Sequence, residues 1–293
     1  MDAILLMAYG TPEHLDEMDD YLLDIRGGRP TPPELIEEIK ERYRKIGGKS
    51  PLTETTKKQA ALLAEAIGKK VYIGMRHWHP FINKTISEMK ADGVESFTAI
   101  VMAPHYSALS IGRYKEQVDT ACDEHDYKPQ IKFIESWWNN EALISTQKTH
   151  LQNALNKIDK DLKTKVLFTA HSLPERIREM NDPYESQLLD NASAIAESFP
   201  NIDWEFCFQS AGASPEPWLG PSIEERIPQL AADQYQHVLI APIGFVCDHV
   251  EILYDIDIGA QAIGRETAIE VSRIESLNTS DGLIQALADT AIQ

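Results

Sequence analysis

Short apolar or β-branched runs alternate along the chain with longer stretches in which apolar residues recur at helical spacing. Eight of these runs have the length and composition of buried strands: residues 3–8, 71–75, 98–103, 131–135, 165–170, 203–208, 237–242 and 268–273. Strands separated by helices are typical of parallel sheets with helices on both faces. The pattern therefore predicts an α/β fold.

The stretch 32–46 shows how one of these helices is bounded. Thr31 can cap it, Pro32 stands at the first helical position, and Glu34 is placed to complete a capping box. Gly47 then ends the run. These signals predict a helix over 32–46.

The two halves of the chain resemble each other. Residues 4–12 are similar to 166–174, and residues 101–105 are similar to 239–243. Each match is short, but both fall at corresponding places, the first and the third strand of their half. A repeated order of elements therefore predicts two similar domains, which 293 residues are enough to form.

We expect two doubly wound, Rossmann-like domains, residues 1–140 and 141–293, joined near 138–150 and facing each other across a cleft. In such sheets ligands bind beyond the carboxyl ends of the strands. Polar side chains cluster there: Tyr9, Arg76, His77, His79, His105, Tyr106 and His171. Of the two neighbouring histidines, we assign His77 to the cleft and His79 to the start of the following helix.

The charge balance narrows the choice of partners. The chain has 28 basic and 46 acidic residues, a net charge of −18, which excludes nucleic acid and disfavours anionic lipid because both need a basic face. Segment 26–50 is the exception, with seven basic residues against four acidic ones. On charge alone, a site for an anionic ligand and a solvated helix face are equally good interpretations.

Other features concern the compartment and the thiols. No apolar run approaches the roughly 20 residues of a membrane-spanning helix, and the first residues form a strand-like run without a basic region or cleavage site. We therefore expect a cytoplasmic protein that is not integral to the membrane.

The three cysteines, Cys122, Cys207 and Cys247, are far apart in the sequence and form no CxxC pair. This spacing predicts buried free thiols.

One histidine and one acidic segment suggest chemistry. His171 follows an apolar strand, where an imidazole can bind a metal, accept a proton, or serve as a hydrogen-bonded structural residue. If the segment after 244 is helical, Asp248, Glu251 and Asp255 share one face. An imidazole with a carboxylate suits ferrous iron or zinc, and the same pair can accept protons. The residues alone thus predict a cleft for metal handling or acid–base chemistry.

Further segments suit a large planar anion. The turn 47–51 precedes a helix beginning near Leu52, whose backbone N–H groups can receive a carboxylate. Trp137, Trp138 and the stiff segment 215–221 supply aromatic loops. For these aromatics, packing over the sheet and contact with a ligand remain alternative interpretations.

An ordered set of motifs resembles the ferrochelatase family. The set extends from about residue 4 to 258, and the tail fits as well. The motifs are Met7–Pro12, Arg42–Tyr43, Ile46–Gly48, Ser50–Leu52, Tyr72–Gly74, Ala170–Pro174, Pro217–Pro221 and Asp248–Tyr254. Each motif is short, but their order along one chain is specific to that family.

The resemblance implies two Rossmann-like domains around a porphyrin cleft. It assigns His171 and Glu251 to the central site, where they bind iron and take part in removing pyrrole protons. Tyr9 stands where coproporphyrin-using enzymes of Gram-positive bacteria carry a tyrosine that ligates product iron from the opposite face, whereas protoporphyrin-using relatives commonly have methionine. Which of His171 and Glu251 is the base stays open.

The resemblance also gives segment 26–50 a purpose, because coproporphyrin carries four propionates. The residues it assigns to those carboxylates are Arg26, Arg42, Tyr43, Ser50 and Tyr114. An arginine fork can bind a carboxylate with two hydrogen bonds. Binding at the rim would distort the macrocycle, neutral His171 would accept a proton, and Glu251 with Asp255 would conduct protons or metal.

The resemblance therefore predicts a lyase that inserts ferrous iron into coproporphyrin III to give coproheme in haem biosynthesis. Iron is its substrate, and no tightly bound cofactor is expected.

The chain departs from the family pattern at two places. Some relatives bind an iron–sulfur cluster through cysteines near the C-terminus, and the C-terminal tail of this chain has none, so no cluster is expected. Relatives often carry a third carboxylate four residues after the second, and this chain has Gly259 there. The default oligomeric state is a monomer in transient contact with neighbouring haem-pathway enzymes. The alternatives are a protoporphyrin IX ferrochelatase, a cobalt or nickel chelatase, and a porphyrin or haem carrier without turnover.

Overall fold

The computed structural model describes residues 1–212 and 214–292 and contains two four-stranded parallel sheets. The first has the order β2-β1-β3-β4, formed by β1 (Asp2–Ala8), β2 (Lys70–Met75), β3 (Ser96–Val101) and β4 (Gln130–Ile134). The second has the order β6-β5-β7-β8, formed by β5 (Thr164–His171), β6 (Asp203–Gln209), β7 (His237–Ala241) and β8 (Glu270–Arg273). All eight predicted strands are confirmed, and the identical strand order confirms two similar α/β halves.

Helices connect the strands in both halves. The first half contains α1 (Met18–Ile25), α2 (Pro33–Lys45), α3 (Leu52–Ile67), α4 (Ile82–Ala91) and α5 (Ile111–Glu124). The remainder contains α6 (Glu141–Leu155), α7 (Tyr184–Ala196), α8 (Ile223–Ala232), α9 (Val250–Leu253), α10 (Gln261–Thr267) and α11 (Asp281–Ile292), with a π-helical turn over Asp255–Ala260. Short 3₁₀ turns cover Leu15–Glu17 and Glu175–Met180. Within the described ranges, no helix has the length and apolar character needed to cross a membrane.

The predicted cap of α2 is wrong in detail. Pro32 is the N-cap and Pro33 is the first helical residue, while the buried hydroxyl of Thr31 has no hydrogen-bond partner among the described residues. The N–H of the first helical residue has no acceptor within the helix, so Pro33, which lacks an N–H and has a suitable φ, fits that position. The helix therefore starts one residue later than expected. The helix ends before Gly47, whose φ of +100° favours glycine.

The strands are buried on both faces, which explains their uninterrupted apolar runs. In β1, Ile4 and Leu6 point toward α3 and α11, whereas Leu5 and Met7 point toward α4 and α5. All four side chains are 0% exposed. Burial of each contributes on the order of 1.5 to 3 kcal/mol. The three cysteines are likewise buried and unpaired, as predicted.

Two helices tie the halves together. Leu143 near the start of α6 packs into the core of the first half, and Leu151 near its end packs into the core of the second. The last helix returns to the first half, where Leu283 and Leu287 lie in the same cluster as Leu6. Both sheets are thereby held with their carboxyl ends toward one shared cleft.

Candidate active site

The cleft encloses a cavity of about 470 Å³ bounded by both halves. The first half contributes residues that follow β1, β2 and β3, and the second contributes residues that follow β5 and β7. Among the cavity-lining residues are Tyr9, Tyr43, Ser50, Arg76, Tyr114, His171, Trp218, His249 and Glu251. The carboxyl ends of the strands in the two sheets therefore bring together side chains more than 200 residues apart, such as Tyr9 and Glu251.

His171 and Glu251 form a pair in this cavity. Nε2 of His171 lies 3.4 Å from Oε1 of Glu251, and the two side chains are 31% and 32% exposed. Nδ1 of His171 donates to the carbonyl of Ser172, and the hydroxyl of Tyr184 donates to the carbonyl of His171 over 2.9 Å. The strand end thus fixes the imidazole, and both of its nitrogens face acceptors.

This arrangement shifts both pKa values. Burial lowers the pKa of His171, but the adjacent charge of Glu251 and its hydrogen bond outweigh burial, so the pKa is raised. Burial raises the pKa of Glu251, but the charges and hydrogen bonds of His171 and His249 outweigh it and hold the pKa far below its ordinary value. Each group of the pair therefore stabilises the charged form of the other. Such a pair can donate one proton, accept one, or exchange its proton for a metal ion.

His249 is a member of this cluster that the sequence did not single out. Its Nε2 lies 3.3 Å from Oε2 of Glu251, while its Nδ1 lies 3.0 Å from the carbonyl of Cys247. The two oxygens of Glu251 are thus shared between two histidines. His249 could have been identified from the sequence, because it stands two residues before Glu251 in the segment after β7.

The predicted acidic face is only partly formed. Asp248 lies away from Glu251 because Arg273 pairs with it at 3.1 Å and Asn278 donates to it over 2.9 Å. Asp255 remains near the pair and accepts a hydrogen bond from Ser210. The expectation that Asp248 shares a face with Glu251 and Asp255 is therefore wrong.

The local backbone explains this outcome. Residue 248 precedes α9, and the chain changes from α-helical to π-helical geometry after Leu253. The change breaks the regular spacing of three and four. Burial, followed by the charge of Glu251, raises the pKa of Asp255 to about 6. Asp255 can therefore exchange protons near neutral pH.

Tyr9 reaches the cavity from the first half, directly after β1. Partial desolvation of Tyr9 in the cleft, and then the charge of Glu251, raise its pKa. Its ring packs on His77, with centroids 4.6 Å apart. His79 is exposed and lies two residues before the N-cap of α4, Phe81.

Three of the predicted carboxylate-binding residues line the cavity. Tyr43, Ser50 and Tyr114 are 2%, 4% and 4% exposed. The hydroxyl of Tyr43 lies 2.8 Å from that of Thr11, and α3 begins at Leu52 as expected. These residues form a wall of hydroxyl groups along one side of the cleft.

Arg26 and Arg42 stand outside that wall. Arg26 lies at the end of α1. Arg42 is 2.8 Å from Glu38, is 4.0 Å from Asp255, and covers the ring of Tyr254 at 5.3 Å. Arg42 thus bridges α2 to the segment that follows Glu251, and the roles assigned to both arginines stay predictions.

Other arginines line the cavity instead. Arg113 is paired with Glu116 at 2.7 Å, and Arg176 with Glu216 at 2.8 Å. Arg76 has no carboxylate within 4.0 Å in the described part of the chain, and its buried Nε has no hydrogen-bond partner there. Its guanidinium covers the ring of Tyr114 at 5.4 Å. An unpaired cation in a cleft is suited to an anionic ligand.

The aromatic loops separate into two roles. Trp137 is 3% exposed, and its Nε1 donates to the carbonyl of Val101 over 3.0 Å, so it packs the core. Trp218 lines the cavity with its ring centroid 6.5 Å from that of His171. Only the second can therefore contact a ligand in the cleft.

Known proteins are similar to this chain over nearly its whole length. A family model described as ferrochelatase matches residues 1–293. A ferrochelatase from Herpetosiphon aurantiacus is 41% identical over 293 residues, covering 97% of this chain and 96% of that protein. A coproporphyrin III ferrochelatase from Geobacillus thermodenitrificans is 38% identical over 301 residues, covering 99% of this chain and 95% of that protein.

A solved structure shares the fold at much lower identity. The sirohydrochlorin chelatase SirB from Bacillus subtilis subspecies spizizenii, in complex with cobalt, superposes with a TM-score of 0.59 at 9% identity. The match covers 99% of this chain and 94% of that one, which confirms the two-domain chelatase fold. Together with the family model over all 293 residues, the relatives show that this chain belongs to the ferrochelatase family.

Proposed function

We propose that this ferrochelatase inserts ferrous iron into coproporphyrin III and forms iron coproporphyrin III. The chief support is the placement of Tyr9 and the His171–Glu251 pair in one cavity, contributed by opposite halves. A planar macrocycle in this cavity would present one face to each. The relative from Geobacillus thermodenitrificans is named a coproporphyrin III ferrochelatase, which is consistent with this substrate.

The pair supplies the acid–base chemistry in this proposal. Insertion of one Fe²⁺ releases two pyrrole protons, so the site must accept protons while it admits a cation. With its Nε2 unprotonated, His171 accepts one pyrrole proton and passes it to Glu251, and the second pyrrole proton follows the same route once the first has left. Asp255, with its pKa of about 6, passes protons from Glu251 toward water. Tyr9 holds the product iron from the other face.

The walls of the cleft account for recognition of the substrate. Coproporphyrin carries four propionates, two more than protoporphyrin, and each needs a donor to replace water. The hydroxyl groups of Tyr43, Ser50 and Tyr114 and the unpaired guanidinium of Arg76 provide such donors. Binding energy at the rim can then be used to distort the macrocycle at its centre.

Anaerobic absorbance spectroscopy tests the proposal. Wild type, His171→Ala and the control His79→Ala are mixed with ferrous iron and either coproporphyrin III or protoporphyrin IX. We expect rapid metallation of coproporphyrin by wild type and by the control, whose histidine is exposed outside the cavity, and at least 100-fold slower metallation by His171→Ala. Preference for protoporphyrin would refute the assignment of substrate, and binding without metallation would favour a carrier.

A further inference from the structure

Tyr9 and His77 are coupled by two contacts beside the cleft. Their ring centroids are 4.6 Å apart, with planes inclined by 54°. The backbone N–H of His77 donates to the carbonyl of Tyr9 over 2.8 Å, which continues the pairing of β1 with β2 beyond Ala8 and Met75. The orientation of the Tyr9 ring is therefore tied to the position of His77.

His77 is held in turn by helix α1. Its Nδ1 lies 2.7 Å from Oδ1 of Asp24, and the histidine is only 8% exposed. Because an ionised carboxylate can only accept, Nδ1 carries the proton and donates it. Asp24 lies two residues before Arg26, where segment 26–50 begins. One line of contacts thus runs from α1 through the imidazole of His77 to the phenol of Tyr9, which lines the cavity.

The hydroxyl end of Tyr9 has no comparable restraint. Within residues 1–212 and 214–292, no protein hydrogen bond reaches its Oη, and the residue is 42% exposed. Because one face of the Tyr9 ring packs on His77 while its Oη is free, the hydroxyl can bind a ligand in the cavity. The imidazole of His77 sets the angle at which the Tyr9 ring enters the cavity.

We propose that Asp24 and His77 are positioning residues that orient the Tyr9 hydroxyl toward the centre of the bound porphyrin. The inference rests on the proposed function, in which Tyr9 ligates the product iron. Asp24 fixes His77 through one hydrogen bond, and His77 fixes Tyr9 through its ring and its backbone. Loss of either contact lets the phenol rotate away from the iron.

The test uses the ferric product complex, prepared with iron coproporphyrin III, and the steady-state kinetics of the same variants. Tyr9→Phe defines the spectrum without the phenolate-to-iron band. We expect Asp24→Ala to lose most of that band, because one hydrogen bond sets the position of His77 beneath Tyr9. The KM for porphyrin should stay within about twofold, since carboxylate binding at the rim is untouched.

Matched variants separate the outcomes. Asp24→Asn keeps an acceptor for Nδ1 and should restore the band, while His77→Phe keeps a ring but loses the hydrogen bond and should resemble Asp24→Ala. Asp20→Ala, an exposed change on the same helix, is the control. If Tyr9→Phe leaves the spectrum unchanged, the ligand role in the proposed function fails. If Tyr9→Phe removes the band while Asp24→Ala and His77→Phe keep it, the positioning role is refuted.

Discussion

Nε2 of His171 and Oε1 of Glu251 lie 3.4 Å apart although the residues are 80 positions apart in the chain. The contact exists because β5 and the segment after β7 end at the same edge of one sheet. It places an imidazole and a carboxylate side by side in a half-buried cavity, where each stabilises the charged form of the other. Removal of one charge should therefore change the other group as well as the reaction.

Glu251→Gln tests that coupling. The substitution keeps the shape of the side chain but removes its charge, so burial should then dominate at His171 and move its pKa below the ordinary value of about 6.5. We expect a fall in kcat of about 100-fold or more, the loss typical of a general acid–base group. Proton NMR titration of His171 and initial rates of metallation measure the two effects. An unchanged His171 pKa would contradict the coupling.

Arg76→Met tests the unpaired guanidinium. The substitution removes the charge and with it the cation–π contact over the ring of Tyr114, while an unbranched side chain is kept. We expect porphyrin affinity to fall by roughly 10- to 100-fold, the value of a charge-assisted hydrogen bond. Fluorescence titration with metal-free coproporphyrin III measures it. Arg113→Met is the matched control, because Arg113 already has a partner in Glu116, and an equal loss in both variants would argue against a special role for Arg76.

The sequence predicted the sheets well for a specific physical reason. A parallel strand such as β1, buried on both faces, shows an unbroken apolar run that has few alternative interpretations. That His171 and Glu251 reach the cavity could be anticipated, because His171 ends β5 and Glu251 lies in the segment after β7. The same rule pointed to Arg76, although its lack of a partner is visible only in three dimensions.

The sequence-based predictions were wrong where the position of a side chain depends on a partner distant in the sequence, or where a helix boundary shifts by one residue. The spacing of Asp248 relative to Glu251 is helical, yet Arg273 lies 25 residues further along and pairs with Asp248 outside the cavity. No periodicity within the segment can reveal a partner on another strand. The cap of α2 depended on which of two adjacent prolines begins the helix, and the two alternatives differ by a single residue.

His105 should make the fold sensitive to acid. Burial lowers the pKa of His105 to about 3, although its Nε2 has a hydrogen-bond partner 3.1 Å away in Asn191. Between pH 6.5 and 3 the unfolded chain binds a proton here that the folded chain does not, so stability falls as pH falls through this window. From pH 7.5 to 5 the loss from this group is about 2 kcal/mol.

Urea denaturation of His105→Gln at both pH values checks this expectation. The amide can still donate to Asn191 but does not titrate, so the variant should lose about 2 kcal/mol less than wild type on acidification. His79→Gln, a change at an exposed position, should lose as much as wild type. Equal acid sensitivity of His105→Gln and wild type would show that His105 is not the group responsible.

The last helix should be essential for joining the halves. Leu287 is 0% exposed and packs with Leu6 of β1, nearly the whole length of the chain away. Leu287→Ala removes that contact and leaves a cavity, so the free energy of unfolding should fall by about 2 to 5 kcal/mol. Ile292→Ala in the same helix, where the side chain is 68% exposed, should cost less than about 0.5 kcal/mol. Urea denaturation followed by circular dichroism measures both, and similar costs at the two positions would show that α11 is not anchored through Leu287.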